Sequence, residues 1–148
     1  MKKILLIILF SFVSISFLET KVLPKEPEET KDVSFLQGEL NDSTLYLALQ
    51  YYEIKHPRIV LAQAKLESGN YKSKHCINKN NLFGLYNSKK KRYYSFEHWS
   101  HSVLAYKDMI EYKHKDGENY YKFLKRIKYA SDPNYISKVK QIENNLKI

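Results

Sequence analysis

The sequence predicts a mainly helical fold carrying one small β-hairpin, an α+β class, and three observations point there. Between Asn41 and Ile148, apolar residues recur at helical spacing in five separate segments. One stretch between them, LFGLYNSKKKRYYSF from Leu82 to Phe96, reads instead as two short aromatic strands joined by a lysine-rich turn around Ser88 to Lys91. No internal repeat divides residues 41–148, a span sized for one modest core.

The chain ahead of that domain has two parts. Lys2 and Lys3 precede the uncharged run ILLIILFSFVSISFL, Ile4 to Leu18, which has the charged and apolar regions of an export signal. The run is shorter than the roughly 20 apolar residues of a comfortable membrane span. Residues 1–20 are therefore expected to be a signal peptide or an N-terminal membrane anchor through residues 4–18, with cleavage left open. Either role predicts export to the periplasm, the envelope or the exterior. Residues 21–40 turn to Lys, Glu, Pro and Thr, as in KVLPKEPEETKD, and are expected to form a flexible linker.

Within the domain, NDSTLYLALQYYEIK begins with capping residues and sets Leu45, Ala48, Leu49 and Tyr52 on one helical face. His56-Pro57 interrupts it, and Pro57 suits the first turn of a second helix through RIVLAQAKLE that stops at Ser68-Gly69. That helix is apolar on most faces, which predicts burial among its neighbours. Residues 70–82 are polar without periodicity and are read as a loop. After the hairpin, Ser100 to Lys113 returns to helix with Val103, Tyr106 and Ile110 on one side. Tyr120, Phe123, Leu124 and Ile127 form a stripe after the Asp116-Gly117 break. A last helix is expected to begin at Asp132-Pro133, with Asp132 as its cap and Ile136, Val139, Ile142 and Leu146 inward.

The formal charge of +9 favours anionic partners. Nucleic acid is the usual suspicion for a basic chain, but an export signal argues against it and towards an anionic glycan, wall polymer or lipid surface. A lysine-rich soluble surface accounts for the charge equally well. The single cysteine, Cys76, excludes an internal disulfide and a cysteine-based metal site. His98 and His101 stand at i and i+3, a zinc-compatible spacing if helical, but two exposed histidines are the plainer account, His75 adds no spacing to it, and neither metal nor cofactor is expected.

Glu67 is the residue that stands out. An acid at the carboxyl end of an apolar helix meets both the helix dipole and desolvation, and each favours its protonated form. Such a group suits the protonation of a glycosidic oxygen near neutral pH. A poorly placed helix-end Glu paired with a neighbouring Lys or Arg is the plainer alternative, and position alone does not decide.

Three ordered motifs, AQAKLESGNYKS (Ala62 to Ser73), NNLFGLY (Asn80 to Tyr86) and YASDPNYISKV (Tyr129 to Val139), resemble the glucosaminidase family, glycoside hydrolase family 73. The resemblance spans about Tyr46 to Ile142. It implies a lysozyme-like fold, an endo-β-N-acetylglucosaminidase that cuts peptidoglycan after N-acetylglucosamine, a monomer, and Glu67 as general acid. It also suggests that Tyr129 contributes to catalysis, whereas a core tyrosine with a bonded hydroxyl is the structural alternative.

The remaining candidates follow from residue chemistry. Asn80 and Asn81 offer amides for sugar hydroxyls and N-acetyl groups, Phe83 an apolar face, and Gly84 close approach of the backbone. Each also has an ordinary role in a loop or core. Tyr93 is kept as an aromatic sugar-stacking residue, and Trp99 is read as mainly structural. The run Lys89 to Arg92 is either a wall-polymer contact or a solvated turn. A glycosidase usually pairs its acid with a second carboxylate. The resemblance implies that this partner comes from the hairpin lobe, where this chain has KKKR, so Glu97, the first acid after Glu67 and in its plainer reading a solvated residue at a helix start, is the default catalytic partner. Without it, the substrate's N-acetyl group acts as nucleophile, or the product is an anhydro sugar as in lytic transglycosylases. A wall-binding module with a weak or absent activity is the reading from outside the enzymes.

Overall fold

The computed structural model describes residues 33–148, and the export segment and most of the linker lie outside the described residues. Six α-helices and one two-stranded antiparallel hairpin make up the described regular structure, besides two short 3-10 turns. The mainly helical class with one hairpin is as the sequence predicts.

Helix α1 (Asp42–Tyr51) starts where Asn41 closes a capping box: its side chain accepts from the Ser43 and Thr44 amides at 2.9 and 3.0 Å, and Thr44 Oγ1 accepts from the Asn41 amide. Its inward residues are Leu45, Ala48 and Leu49. Helix α2 (Pro57–Glu67) opens on Pro57 and buries six consecutive residues from Ile59 to Ala64. Such a run is tolerated because α1 packs on one side of it and α6 (Tyr135–Asn144) on another.

The exit from α2 is unusually tight. Gly69, Asn70 and Tyr71 all take left-handed backbone conformations, with φ of +56, +55 and +67°. This turn is tied back to α1 through Asp42, which receives the Tyr71 hydroxyl at 2.8 Å and the Lys65 ammonium at 2.6 Å. Such strain at non-glycine residues persists only where surrounding bonds hold it. Here it fixes where α2 stops, and so where Glu67 sits.

Four expectations need correction. Residues 70–82 are not all loop, because α3 (Lys74–Lys79) forms inside them, capped by Ser73 and closed by Asn80 in the left-handed region. The helix buries only Cys76, so it leaves no apolar period to read. The hairpin is shorter than its aromatic stretch, pairing only β1 (Tyr86–Asn87) with β2 (Arg92–Tyr93). Leu82, Phe83 and Leu85 go into the core as an irregular buried segment instead. Helix α6 begins at Tyr135, not at Asp132-Pro133, because Asp132 spends one oxygen on the Asn134 amide in a local turn at 2.8 Å. Finally, residues 33–40 lie against the domain. Phe35 meets Tyr51 edge-on at 5.9 Å, and the Trp99 indole donates to the Gly38 carbonyl at 2.9 Å.

Helix α4 (Trp99–Met109) brings Val103 and Tyr106 against the centre, and α5 (Tyr120–Arg126) adds Tyr120, Phe123 and Leu124. The core thus lies around α2, which carries the site at its carboxyl end.

Candidate active site

A cavity of about 590 Å³ opens at the end of α2. Its walls come from Leu66 and Glu67, from the Phe83 to Tyr86 segment, and from the 127–135 connection into α6. Glu67 is half-buried in this wall. Burial pushes its carboxyl above the ordinary range, and a hydrogen bond from the Tyr135 hydroxyl offsets part of that rise. Gly84 faces it with φ at +61°, and a Cβ placed there would stand 3.6 Å from Glu67 Oε2. Any larger side chain at 84 would carry both backbone strain and bulk into the space before the carboxyl.

Behind Glu67 runs a buried polar chain. Gln63, one turn earlier on α2, donates from Nε2 to the Tyr135 hydroxyl at 3.1 Å and accepts at Oε1 from the Tyr106 hydroxyl at 2.9 Å. Tyr106 in turn lies 3.1 Å from the Tyr120 hydroxyl. Each hydroxyl has one proton, so counting them fixes the direction of the chain. Tyr106 spends its hydrogen on Gln63, hence Tyr120 donates to Tyr106. Tyr135 receives from Gln63, so its own hydrogen is free for Glu67. That hydroxyl favours the ionised form of Glu67, against the burial that favours the protonated one.

Tyr129 joins the same wall. Its hydroxyl donates to the Phe83 carbonyl at 3.1 Å, and burial together with the neighbouring Tyr135 holds that phenol well above its usual pKa. It pins the Phe83 to Gly84 segment across the cavity from α6.

The structure brings together four of the sequence candidates: Glu67, Phe83, Gly84 and Tyr129 all line the cavity. Phe83 does so mainly as core, with 2% exposure and its ring 4.4 Å from Tyr106. The other four do not line it. Asn80 caps α3 and donates its amide to the Phe96 and Glu97 carbonyls, both at 3.0 Å. Asn81 is 1% exposed, donating to the Leu85 and Tyr94 carbonyls and accepting from the Leu85 amide. The Asn80 amide nitrogen and both ends of the Asn81 amide hold the hairpin base, the ordinary loop role that the sequence also allowed. Tyr93 packs against His75, ring centroids 4.1 Å apart, and is outside the lining, while its cross-strand partner Tyr86 lines the cavity. Glu97 is exposed just before α4, outside the cavity lining, because the Asn80 bonds turn its backbone towards α3.

Sequence reasoning missed Gln63, Tyr86, Asp132 and Tyr135. Gln63 had a signal, being four residues before Glu67 and the one polar residue among the six buried there. Asp132 is the second carboxylate in the lining, yet Lys138 holds one of its oxygens at 2.7 Å and the Asn134 amide the other, keeping the carboxyl below its usual pKa. Among the described residues, no group of three or more His, Cys, Asp or Glu is arranged to hold a metal ion.

A family model described as Glucosaminidase, mannosyl-glycoprotein endo-beta-N-acetylglucosaminidase, matches residues 43–148. No curated protein sequence matches the chain.

Proposed function

The chain belongs to the Glucosaminidase family, and from that premise we propose that it cleaves the β-1,4 bond after N-acetylglucosamine in peptidoglycan, with Glu67 as the general acid. Membership supports a glycoside hydrolase of the peptidoglycan-hydrolase type. The observation that carries the finer reading is Glu67 itself, a carboxyl at the wall of a cavity whose burial favours its protonated form. A group that keeps its proton beside open space suits protonation of a leaving glycosidic oxygen.

The second group is supplied by the substrate. Asp132, the other carboxylate in the lining, is engaged at both oxygens by Lys138 and the Asn134 amide, and Glu97 is outside the lining. That favours attack by the N-acetyl oxygen of the sugar on its own anomeric carbon as Glu67 gives its proton to the departing oxygen. Water, deprotonated by Glu67, then opens the cyclic intermediate and restores the acid. The enzyme acts as a monomer and is exported, anchored or released through residues 4–18, a reading that rests on the sequence alone.

Digestion of purified peptidoglycan by the chain and its Glu67→Gln variant, with reduced products weighed by mass spectrometry, tests this. New reducing ends at N-acetylglucosamine that fall by about 100-fold or more in the variant are expected. Anhydro products would reassign the chain to lytic transglycosylases. Wall binding without cleavage would leave a binding module.

A further inference from the structure

Charge is distributed very unevenly along this chain. Residues 68–96 hold seven Lys and Arg and no Asp or Glu, so they carry seven of the nine net positive charges. In space these residues form one lobe, α3 against the hairpin, joined by the His75 to Tyr93 ring contact and by the Phe96 amide donating to the Lys79 carbonyl at 2.9 Å. Among the described residues, none of the seven forms an ion pair with a carboxylate. Elsewhere the domain does pair its cations, as in Lys65 with Asp42 and Arg126 with Glu118.

Within the lobe lies a hollow of about 310 Å³, lined by Lys79, Lys90 and Arg92 together with Tyr93, Tyr94 and the Asn87 amide. Three cations converge there from two different elements around an aromatic floor. Like charges gathered without counter-ions raise the free energy of the lobe, and an anionic ligand relieves that repulsion. The hollow neighbours the Glu67 cavity through one pair of rings. Tyr86 lines the cavity, Tyr93 lines the hollow, and the two are cross-strand partners with ring centroids 5.1 Å apart.

We infer that the hollow of Lys79, Lys90 and Arg92 binds the carboxylates at the ends of the peptide substituents on the glycan strand whose backbone occupies the catalytic cavity. This rests on the proposed wall substrate. A strand leaving the cavity over Tyr86 places its peptide branches at the hairpin, and a carboxylate there is held by point charges at the rim of the hollow, with apolar peptide atoms on Tyr93. The aromatic link to the cavity selects this ligand over a free-standing phosphodiester polymer, which has no reason to be aligned with the acid. The hairpin contributes charge for substrate recognition at the place where a catalytic acid was sought.

The test uses the full chain carrying Glu67→Gln, so that binding is read without cleavage. Its affinity is measured on three wall preparations: intact, with peptide carboxylates amidated, and stripped of phosphodiester polymers. Amidation is expected to weaken binding about tenfold, as three rim-exposed ion pairs allow, and stripping to leave it unchanged. Adding K79Q, K90Q and R92Q is expected to give the same tenfold loss on intact walls and to abolish the response to amidation. The charge-keeping changes K79R and K90R are expected to retain binding. Equal affinity on intact and amidated walls, a loss that follows polymer stripping, or full binding by the triple-glutamine chain would each overturn the inference. Failure of the catalytic reading shows separately, as absence of cleavage by the chain with Glu67 intact.

Discussion

Two regions meet at the Glu67 cavity and are built on opposite principles. Behind Glu67, the chain of Tyr120, Tyr106, Gln63 and Tyr135 is buried, carries no charge, and gives each member a hydrogen-bond partner within the chain. On the other side, the hairpin has two rungs of backbone pairing, Tyr86 and Tyr93 at 48% and 37% exposure, and cations without carboxylate partners. The first region sets the properties of one proton and tolerates no unpaired group, because an unsatisfied polar atom in a core costs about 1 to 3 kcal/mol. The second is solvated, so its charges cost little and remain available to a ligand. The surroundings of the Glu67 carboxyl are thus set from inside the core, while the cations of the hairpin lie at the surface.

Asn81 is the joint between the two regions, so its replacement gives the largest expected effect on stability. Asn81→Ala removes three hydrogen bonds from a residue at 1% exposure and strands the Leu85 amide. A loss of about 3 kcal/mol is expected in a chemical denaturation curve, and a loss under about 0.5 kcal/mol would mean that the hairpin is held by something else.

Tyr135→Phe should cost less, about 1 kcal/mol, but it separates chemistry from folding. The Tyr135 hydroxyl favours ionised Glu67 and so lowers its pKa; without it the acid keeps its proton to higher pH. The alkaline limb of the pH-rate profile is therefore expected to move upward. Burial already sets the folded pKa of Glu67 above its unfolded value, so this group lowers stability as pH rises between the two, and the variant widens that window. An alkaline limb that stays in place would remove Tyr135 from the control of the acid.

The smallest effect is expected at the turn of the hairpin. Lys89 is exposed and without an ion-pair partner among the described residues, so Lys89→Gln should change the melting free energy by no more than about 0.5 kcal/mol. A gain well beyond that would show that repulsion within the lobe is a substantial strain on the fold.

Much of the fold was legible because its signals are local. Asn41 caps α1 as its residue type suggests, Pro57 opens α2, and the buried run before Glu67 marks a central helix. Glu67 stood out by a local argument, an acid at the end of an apolar helix, and it lines the cavity. The misses have non-local causes. Helix α3 buries one residue and so has no periodicity. Gln63 and Tyr135 are 72 positions apart, and only the packing of α6 on α2 makes them partners. Asn80 and Asn81 show the limit of residue chemistry: an amide suited to a sugar hydroxyl is equally suited to a backbone carbonyl, and a buried turn uses it first. Glu97 was reached by counting along the chain, and linear order carries no information about which side of a loop faces a cavity.

Trp99 is the only tryptophan in the chain. Its indole is 5% exposed and donates to the carbonyl of Gly38, on the segment that leads into α1. With excitation at the red edge, where tyrosine does not absorb, the fluorescence of this protein therefore arises from a single indole at the seam between residues 34–40 and the helical body. Emission from that ring reads out whether the seam is closed, so the molecule carries an optical gauge of its own amino-terminal edge without any label.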